Sequence, residues 1–269
     1  MLYHDGPLWL IGAGNMGGAM LRGWLAAGLD PALVTVIDPA ARDLPQGIVA
    51  LSAPPPDGAA PATMVLAVKP QLLDAVAPGL APALEAETLL ISILAGVEIA
   101  SLRRRFAAPQ AVVRIMPNLP CSIGKGVMAL HGDALAERHR ALAEALSRPL
   151  GLVEWIADEA WFDAVTALSG SGPAFVFRFI DALASAATAL GLPADQAARM
   201  ALATVEGAAL LAAGSDESAA TLAERVASPK GTTRAGLDVL DRDGAVQALI
   251  RDTLEAAATR SAELAAEAR

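Results

Sequence analysis

The segment Leu10-Ile11-Gly12-Ala13-Gly14-Asn15-Met16-Gly17, running on into Gly18-Ala19-Met20-Leu21, constrains the fold more than any other part of the chain. A short apolar strand, a G-x-G-x-x-G turn and a helix-like continuation follow one another here, as in a βαβ unit that grips a dinucleotide. Gly12 permits the tight turn, Gly14 lets the backbone approach a pyrophosphate, and Gly17 allows close packing of helix on strand. The free N–H groups of the helix start face the anion. Asp38 closes the second apolar run 21 residues beyond Gly17, where an acid accepts hydrogen bonds from the adenosine ribose. A carboxylate there repels a 2′-phosphate and leans toward NAD. Arg42 is either a partner for such a phosphate or a solvated loop charge, and both readings stand.

The rest of the chain agrees with an α/β enzyme and excludes other classes. Its 269 residues allow one large domain or two ordinary ones. A content of 54% hydrophobic and 18% charged residues is too apolar for disorder. The longest uncharged stretches, 6–21 and 164–177, are too short and too broken by Gly, Ser and Pro for a membrane span. The N-terminus carries Asp5 as its first charge and four glycines in its apolar run, which is not a signal-peptide pattern. Twenty basic against 29 acidic residues, a net charge of −9, oppose binding to nucleic acid or anionic lipid. The single Cys121 and scattered His4, His131 and His139 supply no metal-ligand spacing and no disulfide, so the expected compartment is the cytoplasm.

Short runs rich in Val, Ile and Leu at 8–11, 33–37, 64–68, 88–93 and 111–115, with a weaker sixth at 126–129, alternate with helical patterns and predict a parallel sheet. Between the second and third runs, Pro39, Pro45, Pro54 to Pro56 and Pro61 forbid a long helix, so that crossover is abbreviated or looped. From residue 159 the strand pattern disappears. Helices are expected at 159–168, 173–190, 193–213, 218–227, 232–241 and 244–266. The expected architecture is therefore a Rossmann-type domain over 1–158 and an all-helical domain over 159–269.

Ligands of open α/β sheets sit outside the carboxyl ends of the strands. Val68-Lys69-Pro70, Ala95-Gly96 and Met116-Pro117-Asn118 occupy those places, with loop lysine and ordinary turn chemistry as the plainer readings. In the helical half, Leu168-Ser169-Gly170-Ser171-Gly172-Pro173 and Ser228-Pro229-Lys230-Gly231-Thr232-Thr233 put small hydroxyl residues at helix starts. Ser171, Thr232 and Thr233 either cap helices or present hydroxyls and N–H groups to an anion such as a carboxylate.

Taken in order, these motifs resemble the pyrroline-5-carboxylate reductase family over nearly the whole chain. The resemblance implies a Rossmann domain that holds NADH or NADPH and a helical dimerisation domain whose partner subunit helps build the site, with dimers often assembling into rings. It implies that Ile11, Gly12, Ala13, Gly14, Asn15, Met16 and Gly17 cradle the pyrophosphate, and that Val68, Lys69 and Ala95 lie along the nicotinamide half with Asn118 nearby. It also implies that Thr232 and Thr233 hold the substrate carboxylate beside Ser228 and Ser171, with Asp216 facing the ring nitrogen. Thr233 and Ser228 would stand closest to the chemistry. Three departures mark this chain: Lys230 where the family usually has glycine, Asp216 for a usual glutamate, and the short Pro-rich crossover.

The implied reaction, hydride transfer to the C=N carbon of L-1-pyrroline-5-carboxylate to give L-proline, needs no strong acid, because a cyclic imine is readily protonated and the iminium carbon is already electrophilic. That suits a chain without a Ser-His-Asp set or paired catalytic carboxylates. Two rivals are weighed against it. A β-hydroxyacid dehydrogenase would need a lysine on the central helix, where 173–190 has Arg178 and no lysine. A non-catalytic NAD(P)(H) sensor would not need the second anion site at 228–233. The surplus of apolar residues in the Ala- and Leu-rich helices points to a homodimer through 159–269.

Overall fold

A computed structural model describes residues 6–55, 59–133 and 135–267. The chain divides into two compact units, Met1–Ser171 with Ala257–Arg269, and Gly172–Ala256. The helical half expected from residue 159 thus contributes to both.

The first unit is built on an eight-stranded sheet. Its elements are β1 (Leu8–Ile11), α1 (Asn15–Ala26), β2 (Val34–Ile37), β3 (Ala50–Leu51), β4 (Thr63–Leu66), α2 (Leu73–Leu80), β5 (Leu89–Ser92), α3 (Ile99–Arg105), β6 (Ala111–Met116), β7 (Gly126–Gly132), α4 (Glu137–Ser147) and β8 (Gly151–Trp155). The strand order is β3-β2-β1-β4-β5-β6-β7-β8. The first six strands are parallel; β7 runs antiparallel to β6, and β8 parallel to β7. Successive residues point to opposite faces. Leu8 and Leu10 join Trp24 of α1 and Leu146 of α4 in one core, while Trp9 and Ile11 join Leu73 of α2 and Leu102 of α3 in the other. Burial on both faces explains why these strands read as continuous apolar runs. The indole N–H of Trp24 donates to the carbonyl of Leu146 at 2.6 Å, tying α1 to α4.

The expected strands are present with shifted ends. The second starts at Val34, because Asp30 accepts the N–H of Ala32 and folds Pro31–Leu33 into a 3₁₀ turn. The sixth extends to Gly132 and reverses direction. The Pro-rich crossover has no helix among its described residues, as expected, but it carries the two-residue edge strand β3. The strand β8 was not anticipated. It is an edge strand with alternating half-exposed residues, held by the Trp155 indole donating to Glu144 of α4 at 2.7 Å.

The helix expected at 159–168 is replaced by a 3₁₀ turn at Glu159–Trp161, a four-residue α5 (Phe162–Val165) and a π-helical turn at Thr166–Gly170. The remaining helices, α6 (Gly172–Ala189), α7 (Ala194–Ala213), α8 (Ala219–Val226), α9 (Thr232–Leu240) and α10 (Ala245–Glu267), match expectation to within a residue at every end. In the unit Gly172–Ala256 only Ala197 and Ala201 are buried, while Phe177, Phe179, Met200, Leu210, Leu211 and Leu249 are each more than half exposed.

Candidate active site

The strand order reverses between β1 and β4, since the chain leaves β1 toward β2 on one side and returns to β4 on the other. That switch point is where a parallel sheet opens a crevice for a ligand. The turn Gly12–Met16 stands over it. Gly12 has φ of 92°, and a Cβ there would lie 2.9 Å from the carbonyl oxygen of Ala67, so both conformation and space demand glycine. A Cβ on Gly17 would run into the carbonyl oxygen of Gly12. Gly14 differs: its φ of −66° suits any residue and no atom lies within 4 Å of where a Cβ would be. No side chain caps α1 and its first turn has no acid. The helix thus presents N–H groups and a positive dipole end to open space, which fits a pyrophosphate.

Asp38 does more than await a ribose. One of its carboxylate oxygens accepts the N–H of Ala13 at 2.8 Å, and the other accepts the N–H of Ala40 at 2.8 Å. It therefore holds the glycine-rich turn against the end of β2. Val68 and Lys69 follow β4, with Lys69 exposed, and Ala95 follows β5 and is exposed. Ile11 is buried, leaving its backbone for the site, and Asn15 and Met16 open α1. The sulfur of Met16 lies 3.5 Å from buried Cys121, whose thiol pKa is pushed up by burial. A buried, protonated thiol is a poor nucleophile.

Asn118, after β6, is 6% exposed and spends its amide on the protein: Oδ1 accepts the N–H of Val127 at 2.8 Å and Nδ2 donates to the carbonyl of Ser169 at 2.9 Å. It ties the start of β7 to the π-helical turn. Ser171 closes that turn by donating its N–H to Thr166 at 2.8 Å. Wide π turns of this kind often mark functional positions in helices.

In the second unit, Thr232 and Thr233 are the first two residues of α9, with Gly231 at the N-cap and no side chain capping the end. Ordinary capping of α9 does not account for their hydroxyls; a conventional side-chain cap stands instead at α8, where Ser218 accepts the N–H of Thr221 at 3.1 Å. Ser228 starts the turn before α9: its carbonyl accepts the N–H of Gly231 at 2.9 Å, and a Cβ on Gly231 would strike its hydroxyl. Lys230 sits in this turn with φ of 62°, a left-handed conformation uncommon for a lysine. Asp216 is exposed in the loop between α7 and α8.

One cluster escaped the sequence reading. Arg114, in β6, is 6% exposed. It donates to Glu159 at 2.7 Å and its guanidinium lies 4.3 Å over the Phe162 ring. The signal was present: a single arginine inside the apolar run Ala-Val-Val-Arg-Ile-Met has to find a partner when the strand is buried.

No group of three or more potential metal ligands occurs among the described residues, and no helix among them is long and apolar enough to cross a membrane.

A family model described as pyrroline-5-carboxylate reductase dimerisation matches residues 159–264, and one described as NADP oxidoreductase, coenzyme F420-dependent, matches residues 8–96. The pyrroline-5-carboxylate reductase of Pseudomonas aeruginosa is 40% identical over 261 residues, covering 95% of each chain. The solved pyrroline-5-carboxylate reductase of Coxiella burnetii is 32% identical with a TM-score of 0.89, covering 97% of this chain and 99% of that one. The Plasmodium falciparum enzyme, solved with NADP bound, is 26% identical with a TM-score of 0.84, covering 97% and 98%. Identity across nearly full length, with a dinucleotide turn at one end and the dimerisation segment at the other, shows that this chain belongs to the pyrroline-5-carboxylate reductase family.

Proposed function

We propose a division of labour by which this chain carries out the reaction of its family, the reduction of L-1-pyrroline-5-carboxylate to L-proline with NADH or NADPH. The carrying observation is the turn Gly12–Gly17: Gly14 is glycine for no internal reason, and α1 begins there uncapped. Residues 11–17 hold the pyrophosphate, Asp38 fixes the turn and reaches toward the ribose, and Val68, Lys69 and Ala95 border the nicotinamide. When bound, the reduced nicotinamide supplies the hydride.

The second anion site is the start of α9. Thr232 and Thr233 offer N–H groups and hydroxyls to the substrate carboxylate from the first turn of α9, and Ser228, Ser171 and Asp216 complete the substrate-binding set, Asp216 toward the ring nitrogen. These residues bind and orient; the proton on the imine comes from solvent, since the iminium forms readily in water. Holding the two rings in register supplies much of the rate.

The dimerisation segment makes the protein a homo-oligomer. The finer form we propose is a dimer, further assembled into a ring, in which the partner supplies the cover that the exposed apolar side chains of Gly172–Ala256 require. A biosynthetic reductase with one buried thiol belongs in the cytoplasm in this reading. The test is loss of reduced-nicotinamide absorbance on adding L-1-pyrroline-5-carboxylate, run with NADH and NADPH at equal concentrations. Turnover supports the reading and ranks the cofactors. Folded protein that binds cofactor and turns over neither would overturn it in favour of a sensor.

A further inference from the structure

We propose that Glu159 is a positioning residue for the cofactor side of the site: its carboxylate, clamped by buried Arg114, caps α3 and fixes the loop between β5 and α3. The inference rests on the reading of that loop, through Ala95, as the border of the nicotinamide.

The start of α3 takes its side-chain cap from outside the loop. Glu98 is the N-cap of α3 but makes no side-chain cap. The cap comes from 60 residues away, where Glu159 Oε1 accepts the N–H of Ile99 at 2.9 Å. The same oxygen accepts from Arg114 at 2.7 Å. Arg114 cannot swing, because it lies within β6 between β5 and β7 and stacks on Phe162. Strand, carboxylate and helix start thus form a rigid chain that ends at the loop. The other flank is closed by α10: Gly96 has φ of 74°, and a Cβ on it would lie 3.0 Å from the backbone of Ala265. The cleft of about 400 Å³ beneath is lined by Gly96, Arg114, Glu159, Phe162 and Ala265.

A local Ser or Asp at the N-cap would close α3 equally well, yet would not link the helix start to β6. Capping from Glu159 ties the loop to the central sheet. Hydride transfer is sensitive to displacements of a fraction of an ångström, so a loop bordering the reacting ring gains from such a hold.

The experiment compares Glu159→Gln with Glu159→Ala in the full-length protein, reading melting temperature, NADH dissociation constant and turnover of L-1-pyrroline-5-carboxylate. Both substitutions remove the carboxylate that pairs with Arg114 at 2.7 Å, so both lower the melting temperature. Glu159→Gln keeps an acceptor for Ile99 and retains cofactor affinity and kcat within about threefold. Glu159→Ala removes the acceptor and lowers kcat/KM for the cofactor by about fivefold to tenfold, the scale of one lost helix cap. Activity that falls with stability equally in both, or that stays at the wild-type level in Glu159→Ala, overturns the proposal. If either fails to fold, the same pair on an Arg114→Met background strands no buried cation and gives the same decision. Absence of wild-type turnover with NADH binding intact would refute the reaction instead, and the binding arm would still decide the role of Glu159.

Discussion

Gly14 is the residue whose identity is least explained by the protein around it. Its backbone suits any side chain and the space beyond its α-carbon is open, so the constraint comes from what approaches it. Gly14→Val is therefore expected to keep the melting temperature while abolishing measurable NADH binding by fluorescence titration. A variant that binds normally would refute the pyrophosphate assignment. Thr233 makes the complementary case. Thr233→Ala removes one hydroxyl from the start of α9 and should lower kcat/KM for the imine by about tenfold or more, as for a lost hydrogen bond to a charged group, with the cofactor dissociation constant unchanged. Steady-state kinetics with each ligand varied in turn would check this. Unchanged parameters would remove Thr233 from the carboxylate site.

Several elements here are secured by side chains distant in the sequence. Asp38 holds the turn before α1, Asn118 joins β7 to the π turn, and Glu159 caps α3. The turn before α9 carries a cost instead, since Lys230 is held at φ of 62°. Lys230→Gly should raise unfolding free energy by about 0.5–1 kcal/mol in urea titrations, strain relief being partly offset by the freer unfolded chain. A loss of stability would show that the lysine side chain makes a compensating contact. In α4, burial and then the neighbouring Arg138 guanidinium push the pKa of His139 below its ordinary 6.5. The unfolded chain then takes up this proton at higher pH than the folded one. Stability from the neutral His139 is full above about pH 6.5 and is lost as pH falls through the folded value. Melting curves between about pH 7 and pH 5 should show a steeper decline for the wild type than for His139→Gln; parallel curves would exclude His139 as a source of that decline.

At the scale of the whole molecule, the two compact units differ in how they are stabilised. The sheet unit has a core on each face, and its central strands are buried between them. The unit Gly172–Ala256 buries only two alanines and leaves Phe177, Phe179, Met200 and Leu210 in the open. Such a helical unit is expected to acquire its core by association. Light scattering at micromolar concentration should report at least twice the 27.4 kDa chain mass. A stable monomer would contradict this.

The sequence by itself determined the positions of the five central parallel strands, the dinucleotide turn and most helix ends, because period, turn glycines and prolines are local properties of a chain. It also carried the family motifs in order. It did not reveal β8, whose half-exposed edge residues lack an apolar run, nor the short β3, which exists only because β2 lies beside it. The π turn at Thr166–Gly170 read as a plain helix, since the difference lies in which carbonyl each N–H reaches. The links from Asp38 to Ala13, from Asn118 to Ser169 and from Arg114 through Glu159 to Ile99 span 25 to 60 residues. Only the tertiary structure decides such pairs, because a buried charge or amide requires a partner but does not specify where in the chain that partner lies.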